Sequence, residues 1–470
     1  MAAADNTKIS PSAVTVIHPV FLVCMRFVGI LQFDRQSYRS LSAATALNGC
    51  SLFQKILTVL WNCGLVAFIA VYMYYDYTQL FLGWYNELIE AMEFFTLVVL
   101  VFRMTFTAIS ALLIFAAFVR GGARVQQLLM SLGEELRDNR VQLKSYRRLV
   151  VGVTLVGVGL LVLLAASFVL MLQKLIGMVR VETGLQWTDE ISFLASQQSK
   201  MNVPIWTFLI IISSGPLFAA LSQCLIEIFL ILTSLSLGFA FRKVAADLGN
   251  VKDKLSVAEG TEEEALVKMQ RLEISHLNIH QIAEDFSGLF AFEVLLLSVR
   301  DAMSFLAVIA LVFSQPGRRE DPNGRAHIMN RALVWVMGGM SIFCLVCSIT
   351  RVISFIWMYD KSCECLPVLR GISYHAEWKP LRRECAAFSR RIRRNPSAIT
   401  LAGLCYINRP FITAALGAML TFLVLIYQVQ DQKKDIDQLI DRKETTAFIQ
   451  SISDVLANLS STSVHLNGTL

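Results

Sequence analysis

The chain has 470 residues, 55% of them hydrophobic and 17% charged, with a mean hydropathy of +0.56. Nearly half of it lies in long apolar runs, which excludes a large separate soluble domain. The formal net charge of +6 sits mostly in basic connections between those runs, where it suits anionic lipid; no nucleic-acid partner is expected.

Residues 1–51 form a cytoplasmic N-terminal segment. Met1–Ser12 is polar, and the apolar stretch Val14–Ile30 is interrupted by His18, Pro19 and Arg26, which does not fit a cleavable signal peptide. Pro19–Leu31 reads as an interfacial or re-entrant helix. Seven long apolar segments follow, near 52–75, 92–119, 149–172, 204–238, 287–314, 332–358 and 408–430. A helix needs roughly 20 residues to cross the ~30 Å hydrocarbon layer, so each is long enough. The expected fold is all-α, a polytopic membrane protein with seven transmembrane helices.

Charge gives the orientation. The segments 1–51, 120–148, 239–286 and 359–407 hold 26 Lys and Arg residues, and the alternate set 76–91, 173–203, 315–331 and 431–470 holds 11. Positive residues favour the cytoplasm, which places the N-terminus inside and, after seven crossings, the C-terminus outside. Both Asn-x-Ser/Thr sequons, at Asn458 and Asn467, fall in the tail 431–470 on the side where glycosylation occurs. No cysteine falls in an expected external loop, which leaves no external disulfide framework.

Segment four has an apolar run from Pro204 to Leu237 that outreaches the bilayer, so it is expected to tilt, kink near Pro216 and continue into the cytoplasm. The stripe Ala265, Met269, Leu272, Ile279, Ile282 and Phe286, interrupted by His276, predicts that 239–286 forms a helical hairpin with its break over Val257–Glu264. This hairpin belongs with 52–358, a six-helix transmembrane region. In 359–407, Tyr374–Arg394 alternates Trp378, Leu381, Ala386, Phe388 and Ile392 with Arg382, Arg383, Arg390, Arg391, Arg393 and Arg394. That pattern reads as a basic amphipathic helix near lipid headgroups. The spacing of Cys363, Cys365, His375 and Cys385 is not that of a zinc site, so no metal is expected. In the tail, Ile436, Leu439 and Ile440, then Phe448, Ile449, Ile452, Val455, Leu456 and Leu459, form apolar stripes. They fit either a self-associating extension or a lone surface helix.

Ionisable residues inside the apolar runs are costly and face protein or water. They are Glu93, Arg103, Glu227, Glu293, Arg300, Asp301 and Arg351. Glu293 and Arg300 are seven apart and share a helix face; Glu227 and Arg351 lie towards the inner ends and read as structural. A hydrated ligand cavity would satisfy Arg103, Arg300 and Asp301; so would buried ion pairing that only fixes helix packing. Aromatic and Met residues in the outer halves are the remaining pocket candidates: Phe94, Phe95, Phe168, Met171, Trp206, Phe208, Phe305, Trp335 and Met340. Packing within the bundle or a place in the interfacial belt is the favoured reading for any one of them.

The seventh segment, 408–430, differs from the others. An amphipathic lead-in, Ala398–Ile407, precedes Asn408-Arg409-Pro410, and Phe411–Tyr427 follows without charge, with Gly417 and Ala418 allowing close helix contact. Thr421, Leu425, Gln428 and Gln432 fall on one stripe, with Asp431 beside it. A polar-edged stripe of this kind suits a narrow aqueous path, or a hydrogen bond to a neighbouring helix. Ala402-Gly403, Asn408-Arg409 and Thr421-Phe422 followed by five apolar residues and Gln428-Val429 resemble the C-terminal signature of insect gustatory receptors. That signature has Tyr where this chain has Phe422, and Phe where it has Val429.

The resemblance implies a ligand-gated, non-selective cation channel of four subunits in the plasma membrane of chemosensory neurons, passing sodium, potassium and calcium. The last helix would line the pore, with Thr421, Leu425, Gln428, Val429, Asp431 and Gln432 at the pore or gate. Cytoplasmic helical extensions and 359–407 would form an anchor between subunits, in a homotetramer or with related subunits. A small-molecule agonist, such as a sugar, a bitter compound or carbon dioxide, would bind among the earlier spans. Two rivals fit less well. A G-protein-coupled receptor needs an external N-terminus, and a secondary transporter needs repeats that are absent. No span carries a catalytic constellation, so neither an enzyme nor a cofactor is expected.

Overall fold

The computed structural model describes residues 205–257, 261–313, 325–425 and 427–428. It also describes scattered positions in 102–116, 124–136 and 148–159, and single residues at 67 and 450. Within the long helices, the side chains of 205–221, 310–313 and 325–341 lie outside that set. Numbering the continuously described elements in chain order, α1 spans Ile205–Ser256, α2 Glu262–Phe313, α3 Arg325–Cys363, α4 Cys365–His375 and α5 Lys379–Arg394. Two short strands follow, β1 Thr400–Leu401 and β2 Cys405–Tyr406. The helix α6, Arg409–Leu425, completes the series.

α1 and α2 have 52 residues each. At 1.5 Å per residue each is about 78 Å long, more than twice the hydrocarbon thickness. The expected hairpin is therefore present as two continuous helices, and α1 runs unbroken through Pro216. The turn is tighter than expected. α2 already starts at Glu262, because the Thr261 side chain accepts a hydrogen bond from Glu264 N at 3.3 Å and caps it. Three acids in the first turn, Glu262, Glu263 and Glu264, complement the helix dipole.

α1, α2 and α3 pack on one another along their length. Phe229, Leu230, Leu232, Phe241, Phe286, Leu297 and Phe355 are fully enclosed. Gly238 lets α1 approach α3 closely: a Cβ there would meet the Trp357 ring at 2.2 Å. The same ring sits edge-on to Phe239, with centroids 5.2 Å apart. On the far side of α3, Ile342, Val346, Ile349 and Ile353 form an exposed apolar stripe at helical spacing. Such a face suits lipid rather than water. Stretches of α1 and α3 are long and apolar enough to cross a membrane, and α6 is a shorter apolar helix.

Two expectations for 359–407 are corrected. Tyr374–Arg394 is not one helix: the chain breaks at Ala376, and Pro380 opens α5, where its missing N–H costs nothing. The lead-in 398–407 is not helical either. Thr400 pairs with Tyr406 and Leu401 with Cys405 in an antiparallel hairpin, so the described residues are mostly, not wholly, α. The cause lies at its tip, where Ala402 (φ 51°) and Gly403 (φ 75°) are both left-handed and Leu404 N bonds Leu401 O at 2.9 Å. Two consecutive left-handed residues fit a type I′ turn and stop a helix. The chain divides into two compact units, 1–408 and 409–470.

Candidate functional site

Four charged side chains converge where α1, α2 and α3 meet. Glu227 comes from α1, Arg300 and Asp301 from α2, and Arg351 from α3; each residue is at most 5% exposed. Arg300 Nη2 donates to Glu227 Oε1 and to Asp301 Oδ1, each at 2.6 Å, and Arg300 Nε reaches the same Asp301 oxygen at 3.1 Å. Arg351 bridges the same two acids: Nη1 donates to Glu227 Oε1 and Nη2 to Asp301 Oδ2, each at 2.5 Å. Two guanidinium groups and two carboxylates leave the cluster neutral, the condition under which buried charge is tolerable.

Gln223, one turn before Glu227 on α1, extends the cluster. Its Oε1 accepts from Arg300 Nη1 at 3.2 Å, while its Nε2 donates to Ser110 Oγ at 2.8 Å and Thr107 O at 2.9 Å. Four chain segments are thus tied through one polar centre. Arg300 and Asp301 are brought together with Glu227 and Arg351, which the sequence had set apart as structural. Glu293 does not join Arg300: it is buried on α2, and its Oε2 has no partner among the described residues. Phe305, one turn beyond Asp301, is half-buried. Trp206 and Phe208 lie on α1 and Trp335 and Met340 on α3, but their side chains are outside the described set. Phe94, Phe95, Arg103, Phe168 and Met171 are outside it altogether.

A second polar line runs along α2 and holds the segment that leads to α6. Glu262 begins it, its carboxylate accepting from Glu377 N at 2.8 Å and Trp378 N at 2.7 Å at the start of α5. Glu273 pairs with Arg391 at 2.7 Å. Burial pushes the Glu273 carboxyl up, and the Arg391 guanidinium opposes this. His276 sits between the Phe241 and Phe388 rings, with Nε2 3.3 Å from Ser362 O. Burial lowers its pKa to about 4, so it is neutral at physiological pH. His280 Nδ1 meets Ser397 Oγ at 2.7 Å. Ser287 Oγ accepts from Thr400 N at 3.0 Å, and Ala402 N donates to Ala291 O at 3.2 Å.

The sequence placed His276 only as an interruption of the apolar stripe and Arg391 only in a basic set, and it assigned no role to Glu273, His280 or Ser287. Polar positions in an otherwise apolar stripe were the available signal. The cysteines here are packing residues: burial pushes the Cys365 thiol to about 12 and the Cys385 thiol to about 11.

α6 forms part of the other unit. Its Thr421 Oγ1 donates to Gly417 O at 2.9 Å, and Thr421, Leu425 and Gln428 are exposed along one stripe. Leu416, Leu420, Phe422, Val424 and Tyr427 are exposed around it. Val429, Asp431, Gln432, Asn458 and Asn467 lie outside the described residues.

Comparison with known proteins decides the family. Residues 19–433 match the 7tm chemosensory receptor family. The chain belongs to that family. Its fold is also similar to the insect olfactory receptor OR5 from Machilis hrabei, with a TM-score of 0.52 and 16% identity, covering 87% of this chain and 97% of that one. The same receptor in complex with eugenol gives a TM-score of 0.50 over the same shares. No curated protein sequence is significantly similar.

Proposed function

We propose that this family member is a subunit of a ligand-gated, non-selective cation channel in the plasma membrane of chemosensory neurons. It spans the membrane seven times with the N-terminus inside, and four subunits surround one pore. The observation that carries the reading is the family match over 19–433, supported by the fold likeness to an insect olfactory receptor that binds eugenol. The α6 segment supports the pore assignment. From Pro410 to Tyr427 it has no ionisable group except the Tyr427 phenol, it presents Thr421, Leu425 and Gln428 along one stripe, and Val429, Asp431 and Gln432 follow in sequence. In a ring of four, Leu425 and Val429 would form a hydrophobic constriction and Asp431 would attract cations.

The agonist would be a small molecule, a tastant in the gustatory reading, held among the earlier spans. Among the described residues, Arg300, Asp301 and Phe305 on α2 are the candidates for that pocket. The test is current from the purified chain in a planar bilayer while candidate agonists are added. Agonist-evoked cation current is expected, and Gln428→Ala should alter permeation or gating without reducing surface expression. Stoichiometric substrate uptake without current would contradict the channel reading in favour of a transporter.

A further inference from the structure

β1 is the edge strand of a hairpin too short to hold its shape unaided. On its inner edge the hairpin pairs with itself: Ile407 N donates to Ile399 O and Leu404 N to Leu401 O, each at 2.9 Å. The donors on its outer edge are taken up by α2. Thr400 N donates to Ser287 Oγ at 3.0 Å, and Ala402 N donates to Ala291 O at 3.2 Å. The two hydroxyls, Ser287 Oγ and Thr400 Oγ1, also meet at 3.1 Å. Ser287, Ile399 and Ile407 are all buried. The fit is a matter of repeat lengths. Four residues of helix, Ser287 to Ala291, rise about 6.0 Å, and two residues of strand, Thr400 to Ala402, rise about 6.6 Å. Both bonds therefore form at once only with β1 lying along α2. A one-residue slip would bring Ile399 and Leu401 opposite these acceptors, and their N–H groups point to the inner edge.

The seat continues along α2. His280 Nδ1 meets Ser397 Oγ at 2.7 Å. His280, Ser287 and Ala291 are seven and four residues apart in sequence, which puts them on one face of the helix. α2 runs without a break from Glu262 to Phe313. The same helix carries Arg300 and Asp301 about 14 Å beyond Ala291, counting 1.5 Å per residue. Every one of these bonds is internal to the chain. In sequence, α6 opens at Arg409, two residues after Ile407.

We propose that the hairpin 399–407 is a clasp that moves with α2 as one body and passes displacement of α2 to the chain entering α6, with Ser287 as the positioning residue that sets its register. A helix transmits an axial shift with little give, because its backbone hydrogen bonds lie along the axis. A flexible linker at 399–407 would absorb such a shift; a hairpin held at two points one helical turn apart carries it. Of the two acceptors on α2, Ser287 is the one supplied by a side chain, so it is the one a substitution removes. What the shift does for gating rests on the pore reading of α6; the clasp itself does not.

The test is hydrogen–deuterium exchange, read by mass spectrometry, on the full-length protein in lipid nanodiscs with no agonist added. Ser287→Ala should speed exchange of 399–407 about tenfold and of 409–417 about threefold, leaving 265–280 and 294–305 changed by less than about twofold. Ser287→Thr keeps the hydroxyl and should recover most of the lost protection. Ser298→Ala removes a hydroxyl that bonds Val294 O within α2 and should leave both segments unchanged. Ser287→Cys/Thr400→Cys places two thiols where the hydroxyls meet. Oxidised to a disulfide by diamide, which is itself reduced to the hydrazine, this variant should slow exchange in 399–407 and in 409–417, and dithiothreitol should reverse the change. Each single Cys variant controls for Cys405 in the same hairpin. Should Ser287→Ala fail to fold, the disulfide variant decides alone. A uniform rise over the whole of α2 in Ser287→Ala would show a loss of stability only and overturn the proposal. So would exchange in 409–417 that ignores both the missing hydroxyl and the disulfide, or a Cys pair that does not cross-link.

Discussion

Glu227 Oε1 accepts hydrogen bonds from two buried guanidinium groups, Arg300 and Arg351, on two other helices. Its charge is therefore the one the cluster can least spare. Glu227→Gln leaves a net positive charge in a buried site. It should cost about 3–5 kcal/mol, read as a lower thermal midpoint of the solubilised protein and reduced surface expression. Glu227→Leu combined with Arg351→Leu removes a neutral pair and should recover most of that loss; an unchanged midpoint in the single variant would show the cluster to be hydrated. Arg300 and Asp301 were legible in the sequence because ionisable residues stand out in an apolar run. Their partners were not, since pairing between helices 73 and 50 residues apart leaves no local spacing to read. Glu293 and Arg300 illustrate the converse: they share a helix face by spacing, yet Arg300 turns to Gln223, Glu227 and Asp301 instead.

At the level of elements, the helices were legible and the joints between them were not. The α1–α2 hairpin followed from a long apolar run and a 3.6-residue stripe. The β-hairpin at 400–406 did not, because two left-handed residues at its tip, not its polarity pattern, decide the conformation. Gly238 is the tightest point of α1 against α3. Gly238→Ala drives a methyl into the Trp357 ring and should destabilise the bundle by about 1–3 kcal/mol, measured by thermal unfolding. The polar line along α2 predicts a pH effect. His276 has a folded pKa of about 4, below its unfolded value, so the unfolded chain binds more protons between about pH 4 and 6.5. The stability His276 contributes is complete above about pH 6.5 and is lost as pH falls towards 4, by about 3 kcal/mol at most. His276→Leu should flatten that part of the unfolding profile; an identical pH dependence in the variant would show that the imidazole is not sealed.

For the whole molecule, the family was legible from about 30 residues at the C-terminus together with the run of apolar segments, and the match over 19–433 shows the chemosensory receptor family. Ligand identity was not legible, because aromatic and charged residues recognise too many small molecules for type and spacing to choose among them. Topology has an inexpensive check. Asn458 and Asn467 should acquire glycans when the chain is expressed in eukaryotic cells, and Asn→Gln at both should abolish the mass shift. A cytosolic C-terminus would contradict the seven-crossing reading. The central claim is that α6 lines a shared conduit, and a density map of the purified assembly in a lipid nanodisc tests it most directly. Four copies of α6 around one axis, with Gln428 facing the lumen, are expected; α6 splayed towards lipid and remote from any symmetry axis would contradict the account.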